Sequence, residues 1–363
     1  TGVQTCALPI CVLEQRGNGV VLPDEALTVA ELLQDAGWST AAVVASFPLE
    51  ARFGFPQGYD VYVDEFDELD RKTTWNDETV ADGHFYSLAD AITERAIAQL
   101  DGLRGARQHL WVHYYDPHAP YGDGAGEADA LEQASLLQAA RKRPTEVPAL
   151  LERARQLYEA DVRHLDAALG RLLDRLAADD GVATHVVFTA DHGESFGENG
   201  SFGHGKRVTR EEVHVPLVLL GPAVQAGRSD VPTGSVDIGP TLLELAGLDP
   251  DLLPGGRSLL GPAGGAAVFG MRRSFAEPGQ DVRTDGSVVP VEGSRFFHVR
   301  GGRLLIGNAE SMVASEFDDA DETLHADVRQ LFALFEAELD GRDVTELIDP
   351  ETQARLEALG YTR

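Results

Sequence analysis

Three short, nearly uninterrupted apolar runs constrain this chain most: STAAVVAS at 39–46, THVVFTA at 184–190 and VPLVLLG at 215–221. Each is too short for a buried helix and lacks the alternation of a half-solvated strand, so each reads as a strand covered on both faces. Helical spacing fills the intervals. LTVAELLQDAG carries a capping box, with Thr28 as N-cap and Glu31 three residues on, and a Gly37 stop. Residues 87–103 repeat the pattern. Val162, Leu165, Leu169, Leu172 and Leu176 then form one apolar stripe on a long helix, which is core packing rather than a cofactor box. SVDIGPTLLELAG gives a further helix ending at Gly247. Strands alternating with helices predict an α/β fold built on a mostly parallel sheet.

HLWVHYYD at 109–116 is another strand, running directly into PHAPY. The polar segment 122–146, with RKR at 141–143, reads as a surface excursion. Beyond about residue 265 the pattern changes. SRFFHVRGGRLLIGN predicts a hairpin turning at Gly301-Gly302, and HADVRQLFALFEAEL a helix. The expected organisation is therefore a catalytic α/β domain over 11–264 and a small α+β subdomain over 265–363. Residues 1–10, TGVQTCALPI, translated back to codons, resemble a sequencing-library adapter joined in frame, and are set aside from fold reasoning. Cys6 falls in that stretch and Cys11 at its seam, so neither supports a disulfide framework or a catalytic thiol.

Formal charge is −30, and Lys72, Lys142 and Lys206 are the chain's three lysines. Such a field repels nucleic-acid phosphates, which excludes DNA or RNA as a natural partner. No run of eighteen apolar residues is present to span a membrane. The same field opposes an anionic substrate, so anion chemistry requires locally concentrated cations.

The chemistry concentrates in FTADHGESFGENGSFGHGKRV. A strand delivers Asp191 and His192 at its carboxyl end, where open α/β sheets place ligands. A carboxylate beside an imidazole suits a divalent metal, provided the backbone turns there, which Gly193 permits. The plainer alternative makes Asp191 a cap and His192 a surface residue. His204 and Lys206 follow within fifteen residues, in a chain short of lysine. Glu194 and Glu198 read as loop solvation or partners of ligands. His113 reads as structural, and Asp116 as a turn cap or a group that orients a histidine.

TADHGESFGENGSFGHG, EEVHVPLVLLGP, SVDIGPTLLELAGL and GGRSL, together with HLWVHYYDPHAPY and the closing ARLEALGY, resemble the sulfatase family of the alkaline phosphatase superfamily. Order and spacing agree from about residue 18 to residue 260. The resemblance implies an alkaline-phosphatase-like fold and hydrolysis of a sulfate ester of a small molecule or carbohydrate. It implies a formylglycine nucleophile and one divalent metal ion, most often Ca2+, with Mg2+, Mn2+ or Zn2+ as alternatives. Asp191 and His192 match metal ligands of the family, and His118 matches its substrate-binding histidine; on the residues alone, His118 could equally be a buried histidine bonded to backbone. His204 and Lys206 fall near its cationic group, the lysine offset by one position, and Thr209 stands where many relatives have tyrosine.

The family's nucleophile motif, Cys or Ser followed by x-Pro-x-Arg, occurs nowhere in the sequence, and its first Asp-rich ligand pair is not found either. The expectation is that the chain begins downstream of both, is itself inactive, and exposes apolar surface where the sheet loses an edge. Two rival readings are a phosphodiester or phosphonate monoester hydrolase of the same superfamily and a non-catalytic relative.

Overall fold

The computed structural model describes residues 21–314, with breaks at 68–73, 76–77, 80–84, 104, 128, 180, 254–255, 262–266, 273–278, 292–294, 301–302 and 308–311. The adapter-like stretch and the helix expected at 325–339 lie outside the described residues.

The capping box forms as written: in α1 (Val29–Asp35) the Thr28 hydroxyl accepts from the Glu31 amide at 3.1 Å, and the Glu31 carboxylate accepts from the Thr28 amide at 2.8 Å. Gly37 then turns the chain at φ +80° into β1 (Ser39–Val43). β1 pairs in parallel with β2 (Val61–Val63) on one side and β3 (Gln108–Val112) on the other, giving a three-stranded parallel sheet. Ala41, Ala42 and Val43 have no exposure at all. The small alanines let helices pack closely over the central strand. α2 (Ala89–Gly102) and the 31-residue α4 (Val147–Ala177) cover one face, where Val43, Ala45, Ile92, Ala96 and Leu172 form a core with Leu169 and Leu176 against it.

The excursion expected at 122–146 is instead partly core. α3 (Gln133–Lys142) buries Leu136, Ala139 and Ala140 against Leu151, Leu157, Tyr121 and Phe202. Its apolar face is made mostly of alanine, which looks polar in composition yet fits a tight helix contact. RKR remains exposed. The expected stripe also begins one residue off: Val162 is 40% exposed and Asp161 is buried in its place.

β4 (Val186–Thr189) and β7 (Leu217–Leu220) pair antiparallel with one another rather than joining the parallel sheet. Neither is buried on both faces, contrary to the sequence reading, and Val218 and Leu220 are 43% and 46% exposed. Each strand finds only the other as a partner among the described residues, and in β7 the exposed Val218 and Leu220 alternate with the half-buried Leu217 and Leu219, so one face of that strand meets solvent. Between them lie the two-residue strands β5 (Ser195–Phe196) and β6 (Phe202–Gly203), the short helix α5 (Arg210–Val213) and the glycine loop. α6 (Ile238–Leu245) ends at Gly247 as expected.

Downstream, β9 (Gly279–Val282) and β10 (Val288–Val291) form a hairpin. β8 (Ala267–Arg272), β11 (Arg295–Arg300), β12 (Arg303–Gly307) and β13 (Met312–Ala314) form a four-stranded antiparallel sheet in the order 8-11-12-13. The pairing of β11 with β12 is the hairpin the sequence predicts. No described helix is long and apolar enough to cross a membrane.

Candidate active site

β3 and β4 both end at the same place, and the loops that follow bring three imidazoles into one cluster. His192 stacks on His204 with ring centroids 4.0 Å apart, and His204 meets His118 edge-on at 5.2 Å. His118 lies in turn on Tyr115 at 4.5 Å. His118 is 74 residues from His192 in sequence, so its convergence with the loop that carries the other two is a property of the fold.

Each ring is oriented by its Nδ1. His192 Nδ1 donates to the Gly193 carbonyl at 2.9 Å, which leaves its Nε2 3.6 Å from the Asp191 carboxylate. His118 Nδ1 donates to the Ala119 carbonyl at 2.7 Å. The backbone bond of the plainer alternative is therefore present, but on a ring that also belongs to the cluster. His204 Nδ1 donates to Glu194 at 3.1 Å, a contact whose side chains are 8% and 6% exposed.

Of the two readings given for Glu194, loop solvation fails: it is a buried carboxylate bonded to a histidine of the cluster, and it takes the Tyr121 hydroxyl as a further partner. Its only sequence signal was a charge set between glycines and aromatic residues. Burial raises its pKa, and His118 and His192 pull it back.

Gly193 is needed for closeness rather than for an unusual φ. A Cβ there would lie 2.0 Å from the Glu211 carbonyl oxygen, and its N–H donates to the Glu212 carbonyl at 2.8 Å. This contact fastens the Asp191-His192 turn to α5. Gly203 and Gly205, both at φ +80°, reverse the chain on either side of His204. The Gly205 N–H donates to the buried Glu212 carboxylate at 2.9 Å, and burial pushes that carboxyl up to about 8. The Thr209 hydroxyl donates to the same carboxylate at 3.3 Å.

Burial also lowers His118 to about 4, helped by His204, and holds His204 well below the ordinary histidine range, helped by His192. Burial thus disfavours the charged form of both His118 and His204. Lys206 is lowered by burial as well, with Asp281, Glu212 and Glu194 opposing that shift. Arg141 adds to the lowering; Lys206 stands on the same loop as His204 and feels these groups electrostatically, whereas His204 packs in the ring cluster. His113 is structural, its Nδ1 accepting the Ala45 amide at 3.3 Å.

Asp116 neither caps a turn nor orients a histidine. It is 7% exposed, and neither of its carboxylate oxygens has a hydrogen-bond partner. A Cβ on Gly124 would meet Asp116 Oδ1 at 2.1 Å and Asp161 Oδ1 at 3.1 Å, so two buried carboxylates face one gap. Burial raises Asp116 to about 7, with Asp161 and Asp123 adding to the rise.

Asp191 and His192 offer one oxygen and one nitrogen donor at one strand end, a set that fits two positions of a divalent site. Among the described residues no group of three or more His, Cys, Asp or Glu side chains is arranged to hold a metal ion.

The sequence model of the Sulfatase family matches residues 7–248. This chain belongs to the sulfatase family. A choline-sulfatase of Rhizobium meliloti (strain 1021) is 31% identical over 151 residues, 39% of this chain and 29% of that protein. The chain thus aligns with less than a third of that relative's length. Among solved structures, BT4656 in complex with D-glucosamine-2-N,6-O-disulfate shares the fold at TM-score 0.59 and 18% identity, covering 94% of this chain and 87% of that one. A phosphonate monoester hydrolase from Silicibacter pomeroyi does so at TM-score 0.61 and 17% identity, covering 94% and 85%. At such identities these two structures establish a shared fold, alkaline-phosphatase-like and mixed α/β. Sulfatases as a family generally use a divalent metal.

Proposed function

We propose that this sulfatase-family chain carries the metal-binding and anion-binding half of a site that hydrolyses sulfate esters. The observation that carries the proposal is the convergence of His118, His192 and His204 beside Asp191, with Glu194 bonded beneath His204. In this reading Asp191 and His192 hold one divalent ion, Ca2+ by likeness to the family. When bound, the ion supplies Lewis-acid stabilisation of the ester's charged oxygens. Calcium takes about six to eight oxygen ligands, so these two residues are part of the ligand set.

The chain's own residues then handle charge and protons. A sulfuryl group stays negative through transfer, and preorganised donors in a water-poor site stabilise it best. An arriving anion opposes the burial that keeps His118 and His204 neutral, so substrate binding raises both pKa values and draws protons onto their Nε2 atoms. Protonated, His118 is placed to donate to an ester oxygen. His204 is steadied in its charged form by the carboxylate of Glu194, and Lys206 adds an ammonium from the same loop.

The substrate class is a small-molecule or carbohydrate sulfate ester. The matched choline-sulfatase and the sulfated glucosamine bound by BT4656 support both kinds. A net charge of −30 favours a substrate with one sulfate at the site over an extended polyanion. We also propose a boundary near residue 264, after which the smaller α+β unit begins.

A second reading is phosphonate or phosphodiester hydrolysis. It is favoured by the imidazole of His192, a donor that suits manganese or zinc better than calcium, and it is supported by the fold shared with the phosphonate monoester hydrolase. Assaying the protein, loaded with divalent ion, on both ester classes separates the two. Faster turnover of an aryl sulfate than of an aryl phosphonate, abolished by His118→Ala, supports the first reading. The reverse order of substrates overturns it.

A further inference from the structure

A hairpin far downstream reaches back onto the glycine loop. Asp281, on β9, has a side chain only 2% exposed. Its Oδ1 accepts the Ser201 hydroxyl at 2.8 Å, and its Oδ2 accepts Arg207 Nε at 2.6 Å. Two residues on, the Arg283 guanidinium donates to the Asn199 carbonyl at 3.0 Å. The Thr284 N–H donates to the Gly200 carbonyl at 3.1 Å. The hairpin turn rests on α3: a Cβ on Gly286 would lie 2.8 Å from the Ala140 carbonyl oxygen.

These contacts bracket the site. Ser201 and Arg207 stand on either side of His204 and Lys206, so the loop conformation that satisfies Asp281 is the one that holds His204 between His118 and His192. A buried carboxylate tolerates its position only while its bonds are made, and losing a partner is costly. Asp281 therefore enforces that conformation. Its charge also reaches Lys206, opposing the burial that lowers the ammonium.

We propose that Asp281 is a positioning residue of the site, acting through Ser201 and Arg207 to lock the loop that carries His204 and Lys206, and that the 279–291 hairpin is thereby part of the site. The functional meaning rests on the reading given under Proposed function, whereas the test below does not.

Backbone hydrogen exchange by mass spectrometry on the full 363-residue chain tests the lock. Asp281→Asn should speed exchange of amides in 199–207 by about tenfold, the size expected for loss of a charge-assisted bond. Exchange in β1 and β3 should stay unchanged. Asp281→Glu should restore part of the protection, and Ser201→Ala, which leaves the ion pair intact, should give a smaller rise confined to the loop. Competitive acetylation, with Lys72 and Lys142 as internal references, should show Lys206 becoming reactive at lower pH in Asp281→Asn. The charged groups acting on Lys206 are Asp281, Glu212, Glu194 and Arg141, so the remaining three set the residual shift. Unchanged loop exchange in Asp281→Asn, or an equal rise throughout the sheet, overturns the proposal. Should Asp281→Asn fail to fold, Ser201→Ala decides: a loop-confined rise supports the lock, and no rise refutes it. A failure of ester turnover would leave these results standing and would count against the functional reading alone.

Discussion

Replacing Asp116 with Asn should make the protein more stable, and only above acidic pH. Asp116 sits 7% exposed with no hydrogen-bond partner on either carboxylate oxygen. Burial lifts its pKa from 3.8 to about 7, with Asp161 and Asp123 adding to the rise. The amides of Asp116 and Ala89 lie near enough to offset part of this without completing bonds. The folded pKa is raised, so below about pH 4 both folded and unfolded chains are protonated there and the group costs nothing. Between about pH 4 and 7 the unfolded chain releases the proton while the folded one keeps it, and stability falls as pH rises. Above 7 the loss is complete. A shift of this size, at about 1.4 kcal/mol per unit, corresponds to about 4 kcal/mol, a ceiling that local relaxation and water entry reduce. Asn is the same shape, never ionises, and offers an N–H₂ to Asp161. Urea denaturation of both proteins from pH 4 to 8.5 should show equal stability near pH 4 and an advantage of roughly 2 to 4 kcal/mol for Asp116→Asn at pH 8. A variant less stable at every pH, or a gap that widens toward acid, would show that Asp116 is an ionised structural acceptor and refute the reasoning.

Gly193→Ala should abolish divalent-ion binding, measured by calorimetry, because its Cβ would fall 2.0 Å from the Glu211 carbonyl oxygen and push the Asp191-His192 turn away. Glu194→Gln should lower turnover of the active enzyme by about 10- to 100-fold, as expected for loss of a group that orients and charges a catalytic imidazole, with a smaller change in KM. Glu212→Gln should remove a stability loss that wild type shows between about pH 4.5 and 8, since burial raises this carboxyl to about 8; thermal melts across that window would check it. Val218→Thr with Leu220→Thr should reduce aggregation, read by light scattering, at little cost in stability, because these side chains are 43% and 46% exposed.

Local signals were legible wherever one residue's chemistry decides the outcome. The Thr28-Glu31 box, the Gly37 and Gly247 stops and the β11-β12 hairpin depend on neighbours in sequence, and all formed. The ring cluster was legible only as a conjunction of motifs, since nothing within GHGK or DPHAPY places His118 5.2 Å from His204. What sequence reading missed depends on long-range partners. α3 looked like surface because alanine is neutral in composition and becomes core only when Leu151 and Leu157 lie opposite. β4 and β7 looked doubly buried because an apolar run records what a strand can tolerate, not which layers cover it. Sequence left Glu194 open between solvation and a partner's role and read Asp116 as a cap or orienting group; that both are buried shows only in tertiary packing, because buried carboxylates are rare.

The central claim is that Asp191, His192, His204 and His118 serve one metal-and-anion site. An anomalous difference map from crystals soaked in Mn2+ together with sulfate tests it most directly. The account predicts a metal peak bound by His192 Nε2 and the Asp191 carboxylate, with the sulfate within hydrogen-bonding reach of His118 and His204. Metal bound elsewhere with His192 and Asp191 left without it, or sulfate distant from both other histidines, would contradict it.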